Sequence, residues 1–588
     1  MKLYKLSLAL FLGFGAMSMT SCEDKLEVTN PNEQTTGTFG FTSDDLEECV
    51  IAAYHDLRME GSTGRVGYTI DAVRGDEVWN SSQVWYMPFD DMNDPVTDEI
   101  SFWPWREYYY AINVCNFILS RTTGDNAQLS ESMKRIKGQA LFIRGFAYYN
   151  LVGYYKDVPL ITDYSTYSSL DGLYGANNTS DEVLDQAEKD LKEAMELLPN
   201  RQAGGEWAKG RATCGAAAGY YARTLMFRHK YSEALDVLKD IIGGTKYGKY
   251  KLMANYGDNF REGSAYENND ESLFEVQYLD YGTQGVDDEW TPVNVSPNAT
   301  QGHAVESNFA PGDFGGWADL SASPWLYNLF KEERTTAGKL DPRLYWTLGT
   351  YEKEWEGFEK GNVAYTKKIT ATDTLRTNNN YGGIPIAKWT NMRTGLYSSV
   401  ATGLRCGINL RMMRYSDVLL RAAECENEVN GPTEQAIKWI NEVRQRAGLA
   451  DLKLEDFNTK DKLFEQIANV ERPKEFGCEN GRGMDLIRWG FFYDNGRLDQ
   501  LKEHGTFYKN KTIDVKTPVT YAQTKTDPEH VKSSYDTYLP GHEFLPIFQT
   551  LLNNNPNLKG NSANDGIDNS TDFFGRGWTV HPVVNLSK

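Results

Sequence analysis

Apolar residues along this chain keep two different rhythms. Across residues 43–245 and 409–588 they recur at intervals of three and four, the spacing that turns one face of an α-helix toward a core. Across residues 246–408 that period is lost. The clearest helical stretch runs from Arg414 to Leu449. Tyr415, Val418, Leu419, Ala422, Cys425 and Val429 form one apolar stripe, which Asn430-Gly431-Pro432 interrupts. A second helix follows with Ala436, Ile437, Ile440, Val443 and Ala447 inward, Pro432 suited to its first position and Gly448 to its end. A turn this short makes the two helices pack antiparallel, and the small Ala422, Ala423 and Ala436 allow a close approach.

The same rhythm predicts a helix over Ser43–Met59, with Leu46, Val50, Ala53, Tyr54 and Leu57 inward, and a long pair over Trp105–Ser120 and Glu131–Tyr155. Ala187, Leu191 and Ala194, then Ala234, Leu238 and Ile241, then Ala436, Ile440 and Val443 share the offsets of a tetratricopeptide repeat's second helix. With preceding helices at Arg211–Arg228 and Ser416–Val429, they predict interrupted helical hairpins stacked as a scaffold. The expected fold class is mainly α, with long irregular loops and minor β. Gly61–Pro104 reads as loop-rich. Residues 246–408 are rich in Gly, Asn and aromatics and carry only short strand-like runs, Leu273–Tyr278 and Ile384–Trp389. After Asp451, short helices alternate with polar loops.

The N-terminus changes the picture. Lys2 and Lys5 precede an apolar run, Leu6–Met17, that is too short to span a bilayer, so residues 1–21 read as a signal peptide. Met19-Thr20-Ser21-Cys22 resembles a bacterial lipobox, which places cleavage before Cys22 and acylation on its thiol. Residues 22–42 then form a lipidated tether. No later stretch is apolar over the ~18 residues of a membrane helix, so the lipid is the expected anchor. The net charge of −21 becomes more negative when two lysines leave with the signal peptide. A chain this acidic repels phosphate backbones, and nucleic-acid partners are excluded. Of the remaining cysteines (Cys49, Cys115, Cys214, Cys406, Cys425, Cys478), three lie in helix stripes, and buried free thiols are expected.

Three segments together carry a family resemblance. They are Arg414-Tyr415-Ser416-Asp417-Val418-Leu419-Leu420 with its following helix, Glu471-Arg472-Pro473-Lys474-Glu475-Phe476, and Gly481-Arg482-Gly483-Met484-Asp485-Leu486-Ile487-Arg488-Trp489. This resembles the C-terminal signature of the SusD/RagB family of outer-membrane nutrient-binding lipoproteins, with Pro473 where that family usually has Arg. Gln139–Tyr149 and Asp157-Val158-Pro159-Leu160 match a further family signature. The resemblance implies a SusD-like fold and a lipid-anchored, surface-exposed protein of the outer membrane. It also implies binding of a glycan and its delivery to a SusC-like TonB-dependent transporter. Glu23 and Asp24 resemble the acidic flank that favours surface export in such bacteria. The expected organisation is signal peptide 1–21, tether 22–42, N-terminal helical region 43–245, aromatic insertion 246–408 and C-terminal SusD/RagB region 409–588.

No catalytic motif accompanies it. The seven histidines are scattered without HExxH spacing, and no GxSxG elbow, phosphate loop or dinucleotide fingerprint is present. Asp91-Met92-Asn93-Asp94 and Asp287-Asp288-Glu289 could meet calcium but lack the spaced loop of a calcium site, so no cofactor is expected. Two carboxylates suffice for glycoside hydrolysis, which keeps an α-toroid hydrolase or lyase as the competing reading. A peptide-specific SusD-like protein is another. The aromatic content of 13%, with 14 Trp, is unusual; such rings can fill a core, but in this quantity some should line a surface that stacks on planar or sugar-ring faces. Irregular segments on a rigid scaffold are where such residues sit. The candidate ligand-binding residues are Asp76, Trp79, Asn80 and Trp85 in the early loop and Trp290 and Trp317 in the insertion. Cys22 is the lipidation site.

Overall fold

The computed structural model describes residues 40, 42–168, 172, 174–279, 302–350, 352–355, 383–393, 406–509, 518–569 and 580–586. Helix α1 (Ser43–Asp56) opens on a capping box, in which Thr42 and Asp45 each accept the other's backbone N–H. The early segment expected to be loop is partly folded. A π-helical turn at Glu60–Gly64 leads into α2 (Val66–Val73), and every residue of both is buried. The α2 sequence, VGYTIDAV, has no polar face, so periodicity could not reveal it. Burial on all sides is the setting such a helix requires. Strand β1 (Val78–Asn80) follows.

Helix α3 (Trp103–Arg121) packs against α4 (Glu131–Tyr155), which starts at an Ser130 cap and is buried all round from Gly138 to Tyr155. Then come α5 (Ser180–Leu197), α6 (Cys214–Phe227) and α7 (Tyr231–Gly243). The insertion contains β2 (Ser272–Val276), β3 (Leu320–Ala322) and α8 (Pro324–Lys331), and the chain returns through β4 (Leu410–Arg414) into α9 (Tyr415–Asn430) and α10 (Glu434–Arg446). Helix α5 packs on α6, α6 on α7, α7 on α9 and α9 on α10. The hairpins therefore stack in one row although residues 244–414 intervene. The insertion closes at its base because β2 pairs antiparallel with β4, Val276 opposite Leu410. Helix α10 is capped by Thr433, whose hydroxyl accepts the Ala436 N–H, so Pro432 lies just outside the helix instead of at its first position. Gly448 follows with φ of +76°, the left-handed stop its position predicted. The run Ile384–Trp389 is not a strand but two isolated bridges, Ile384 to Ala322 and Ile386 to Leu348.

The C-terminal part adds α11 (Arg472–Phe476), α12 (Arg482–Arg488), α13 (Asn495–His504) and an antiparallel pair, β5 (Thr506–Tyr508) with β6 (Val531–Ser533). One hydrophobic cluster runs from Leu46 to Leu558 and draws on all three sequence regions. The six described cysteines are free and buried, in line with their apolar surroundings. No described helix is long and apolar enough to cross a membrane.

Within this core lies a network of buried ion pairs. Arg414 donates to Glu271 (2.6 Å), Glu475 (2.8 Å) and Glu479 (2.7 Å), and Arg446 and Arg343 also donate to Glu475. Arg472 bridges Asp417 (2.9 Å) and Asp485 (2.6 Å), while Arg488 joins Asp485 to Glu424. The charged residues that carry the family resemblance are thus interior. They hold α9, α11, α12 and β4 together and present nothing to a ligand.

Candidate functional site

Strand β1 pairs antiparallel with β3, with Trp79 opposite Ser321 and Asn80 opposite Leu320. This ribbon joins the early segment to the insertion. At its end Asn80 builds a turn. Its side-chain oxygen accepts the N–H of Gln83 (3.0 Å) and its amide donates to the Gln83 carbonyl (2.6 Å). The turn projects Val84, 75% exposed, and the half-buried Trp85. Trp85 stacks on Tyr86 with ring centroids 3.7 Å apart, and the buried Tyr86 hydroxyl meets the Thr69 hydroxyl of α2 at 2.5 Å.

The insertion delivers Trp317 to the same place. Its N–H donates to the Ser307 carbonyl (2.6 Å), and the next residue, Ala318, has φ of +51° while donating to the Ala310 carbonyl (2.9 Å). A Cβ on Gly316 would stand 2.0 Å from the Ala310 oxygen, so only glycine fits. Backbone strain of this kind persists where surroundings over-determine it. Arg65 lies near both rings, its guanidinium 5.5 Å from the Trp85 centroid and 5.9 Å from that of Trp317. Arg65 is 4% exposed and ion-paired to Glu60. Asp319 ties the ribbon to this cluster, accepting from Ser82 (3.1 Å) and Asn308 (2.8 Å), and burial lifts its carboxyl to about 6. The partly buried Trp85 and Trp317 thus come close to one guanidinium, with polar groups nearby.

Other expected site residues lie elsewhere. Trp79 is 1% exposed and stacks flat on Phe507 of β5, 4.0 Å between centroids, so it is a core residue and not a ligand platform. Asp76 is wholly buried, accepting two bonds from Arg482 (2.7 and 2.8 Å) and one from His504 (2.8 Å). Burial would raise its carboxyl, but Arg482 and His504 hold it below the ordinary range. Both expectations are corrected for one reason: β1 enters the sheet ribbon with its flanks packed inward. Asn80 shapes the turn and is nearly buried. Trp290 and Cys22 lie outside the described residues, as does Asp287-Asp288-Glu289. Asp94 is taken up by Arg74 (2.6 Å), and among the described residues no group of three or more metal-ligating side chains converges. Arg65 escaped sequence reading because nothing local marks it; its neighbours Trp85 and Trp317 come together only through the β1–β3 pairing. Trp325 of α8 is a further half-buried indole, stacked on His504 at 3.8 Å.

Trp79→Ala is expected to cost ~3–5 kcal/mol of stability, as for other buried large aromatics, while leaving ligand affinity unchanged in the fraction that folds. Thermal unfolding beside binding calorimetry checks this.

Comparison with known proteins identifies the family to which this helical-repeat scaffold belongs. The SusD family profile matches residues 270–565, and a profile described as starch-binding associating with outer membrane matches residues 24–226. This chain belongs to the SusD family. A SusD-like protein of Formosa agariphila is 25% identical over 572 residues, spanning 91% of this chain and 98% of that protein. The crystal structure of a SusD superfamily protein from Bacteroides vulgatus superposes with a TM-score of 0.68 at 24% identity, covering 90% of this chain and 100% of the other. Surface glycan-binding protein A from Bacteroides thetaiotaomicron, solved in complex with laminarihexaose, gives a TM-score of 0.62 at 21% identity, covering 88% and 99%. These likenesses establish the mainly helical SusD fold.

Proposed function

We propose that this protein is a cell-surface lipoprotein of the outer membrane that binds a glycan without cleaving it and passes it to a SusC-like TonB-dependent transporter. The single observation that carries the binding role is the pair of partly exposed indoles, Trp85 and Trp317, brought close to the same Arg65 from segments more than two hundred residues apart. Indole faces stack on the CH faces of sugar rings, and nearby hydroxyl, amide and carboxyl groups satisfy sugar hydroxyls. A relative of the same fold was solved with laminarihexaose, and family membership supports an uptake role. No catalytic motif appears in the sequence, which supports binding over hydrolysis. Cys22 carries the lipid in this reading.

Cell fractionation tests the anchor. The unmodified protein should sediment with outer membranes, and Cys22→Ala should be released to the soluble fraction; retention of the variant in the membrane overturns the anchoring. Affinity purification from native membranes tests the partner, with a TonB-dependent transporter expected to co-purify in stoichiometric amount. The bound glycan should remain without new reducing ends or unsaturated products, whose appearance would favour a hydrolase or lyase.

A further inference from the structure

We propose that residues 580–586 form a strap whose grip on the helical row is switched by one proton on His581, tight while the imidazole carries it and loose once it is given up. The strap meets three elements that the sequence keeps apart: the end of α9, the helix Lys460–Gln466 and α13. His581 is where they converge. Its Nδ1 stands 2.6 Å from an Asp461 oxygen and its Nε2 2.6 Å from a Glu428 oxygen. Its ring stacks on Phe464 with centroids 4.1 Å apart. Arg497 of α13 holds the same stretch by its backbone, donating to the His581 carbonyl (2.7 Å) and the Pro582 carbonyl (2.9 Å).

A neutral imidazole has one N–H donor and one lone pair, and an ionised carboxylate only accepts. Carboxylates on both ring nitrogens are therefore satisfied together only when a further proton is present. An imidazolium supplies it and makes two charge-assisted bonds. Loss of that proton leaves a ring lone pair facing a carboxylate oxygen, so one bond goes and the other loses its charge assistance. Glu428 faces the ring from α9 and Asp461 from the helix Lys460–Gln466. Lys460 is drawn to the Glu428 carbonyl, and Arg497 is paired with Glu465 (2.6 Å) close to Asp494. Residues 580–586 contain no other titratable side chain.

Burial alone would lower the His581 imidazole, but Glu428 and then Asp461 outweigh it and hold it above its ordinary value. A folded value raised above the unfolded one stabilises fully below the unfolded value, and that contribution is lost as pH rises through the folded one. Grip is therefore complete at mildly acidic pH and is lost on the alkaline side of the ordinary histidine value. Loosening uncovers the face of Phe464 on which the imidazole lies, a ring otherwise 1% exposed.

The test uses the full-length mature protein carrying Cys22→Ala, which removes the only cysteine besides the six buried ones, and a nitroxide attached at Val583→Cys. Val583 is exposed and accepts the label. Electron paramagnetic resonance follows label mobility from mildly acidic to alkaline pH. Carbon-13-labelled histidine reports the His581 titration, its signal being the one displaced by both Glu428→Gln and Asp461→Asn. His581 should titrate above free histidine, and the ratio of mobile to immobile label should rise about tenfold or more across that titration. Glu428→Gln and Asp461→Asn should each move the transition to lower pH. His581→Phe keeps a ring on Phe464 but has no donor, and its label should be mobile at every pH. Titration at or below the free-histidine value overturns the proposal. So does label mobility that does not follow the titration, or a pH transition that survives in His581→Phe. Should His581→Phe not fold, the titration and the label in the histidine-bearing strap still decide.

Discussion

Arg414→Met is expected to remove about 3–5 kcal/mol of folding stability, the cost of leaving buried carboxylates without their partner. Most domains have only ~5–15 kcal/mol in total, so the variant should unfold at markedly lower denaturant or fail to accumulate. The guanidinium is 1% exposed and serves Glu271, Glu475 and Glu479 at once. Those carboxylates come from the approach to β2, from α11 and from the loop after it. Burial alone would raise the Glu475 carboxyl, but Arg446, Arg414 and Arg343 outweigh it and hold it below its ordinary range. The sign of the pH dependence follows. A depressed folded pKa contributes stability that is present above the unfolded value and lost as pH falls through the folded one. Without Arg414 the depression shrinks, so acid unfolding should begin at a higher pH than in the unmodified protein. Urea titrations at a series of pH values from neutral downward check both statements. An unchanged midpoint at neutral pH would show that the network is dispensable.

Trp85→Ala and Trp317→Ala are each expected to weaken glycan binding by about 2 kcal/mol, some thirtyfold, with little change in melting temperature. Each ring is only partly buried, so truncation removes less buried surface than at Trp79, where stability is the quantity that should fall. Binding calorimetry and thermal unfolding on the three single variants separate the classes. A sharply lowered melting temperature with unchanged affinity at Trp85 and Trp317 would make them core residues and remove the site. Val84 beside Trp85 offers a milder probe, since its exposed side chain carries no packing that α2 or the ribbon needs.

The stacked hairpins were legible because each buries one face and leaves the other in water. The predicted Glu131–Tyr155 is α4 residue for residue, and Tyr415–Asn430 and Glu434–Arg446 lie within a residue or two of expectation. Helix α2 was not legible, because a helix buried on every side has no polar stripe to mark it. The site was half legible. Trp79 and Trp85 sit six residues apart in the same polar run, and composition treats them alike. Only the pairing of β1 with β3, some 240 residues on, turns one into the core and leaves the other beside Arg65. Long-range pairing of this kind leaves no trace in local spacing. The charged signature was visible from the first, yet its placement was not. Arg472, Arg482, Asp485 and Arg488 are interior.

The β2–β4 pairing has a consequence for how ligand preference can change. Because Val276 and Leu410 meet, everything between them leaves the helical row and comes back at one doorway. Loop closure costs grow only slowly with length, about 0.6 kcal/mol for each doubling. The intervening segment can therefore be lengthened, shortened or exchanged for a relative's while α7 and α9 stay in register. The β3 ribbon, which must still meet β1, constrains the graft, and so do Arg343, which pairs with Glu475 in the interior, and the segment's own share of the hydrophobic core. Such a transplant moves Trp317 and its loop as a unit and leaves Trp85 and Arg65 behind on the early segment.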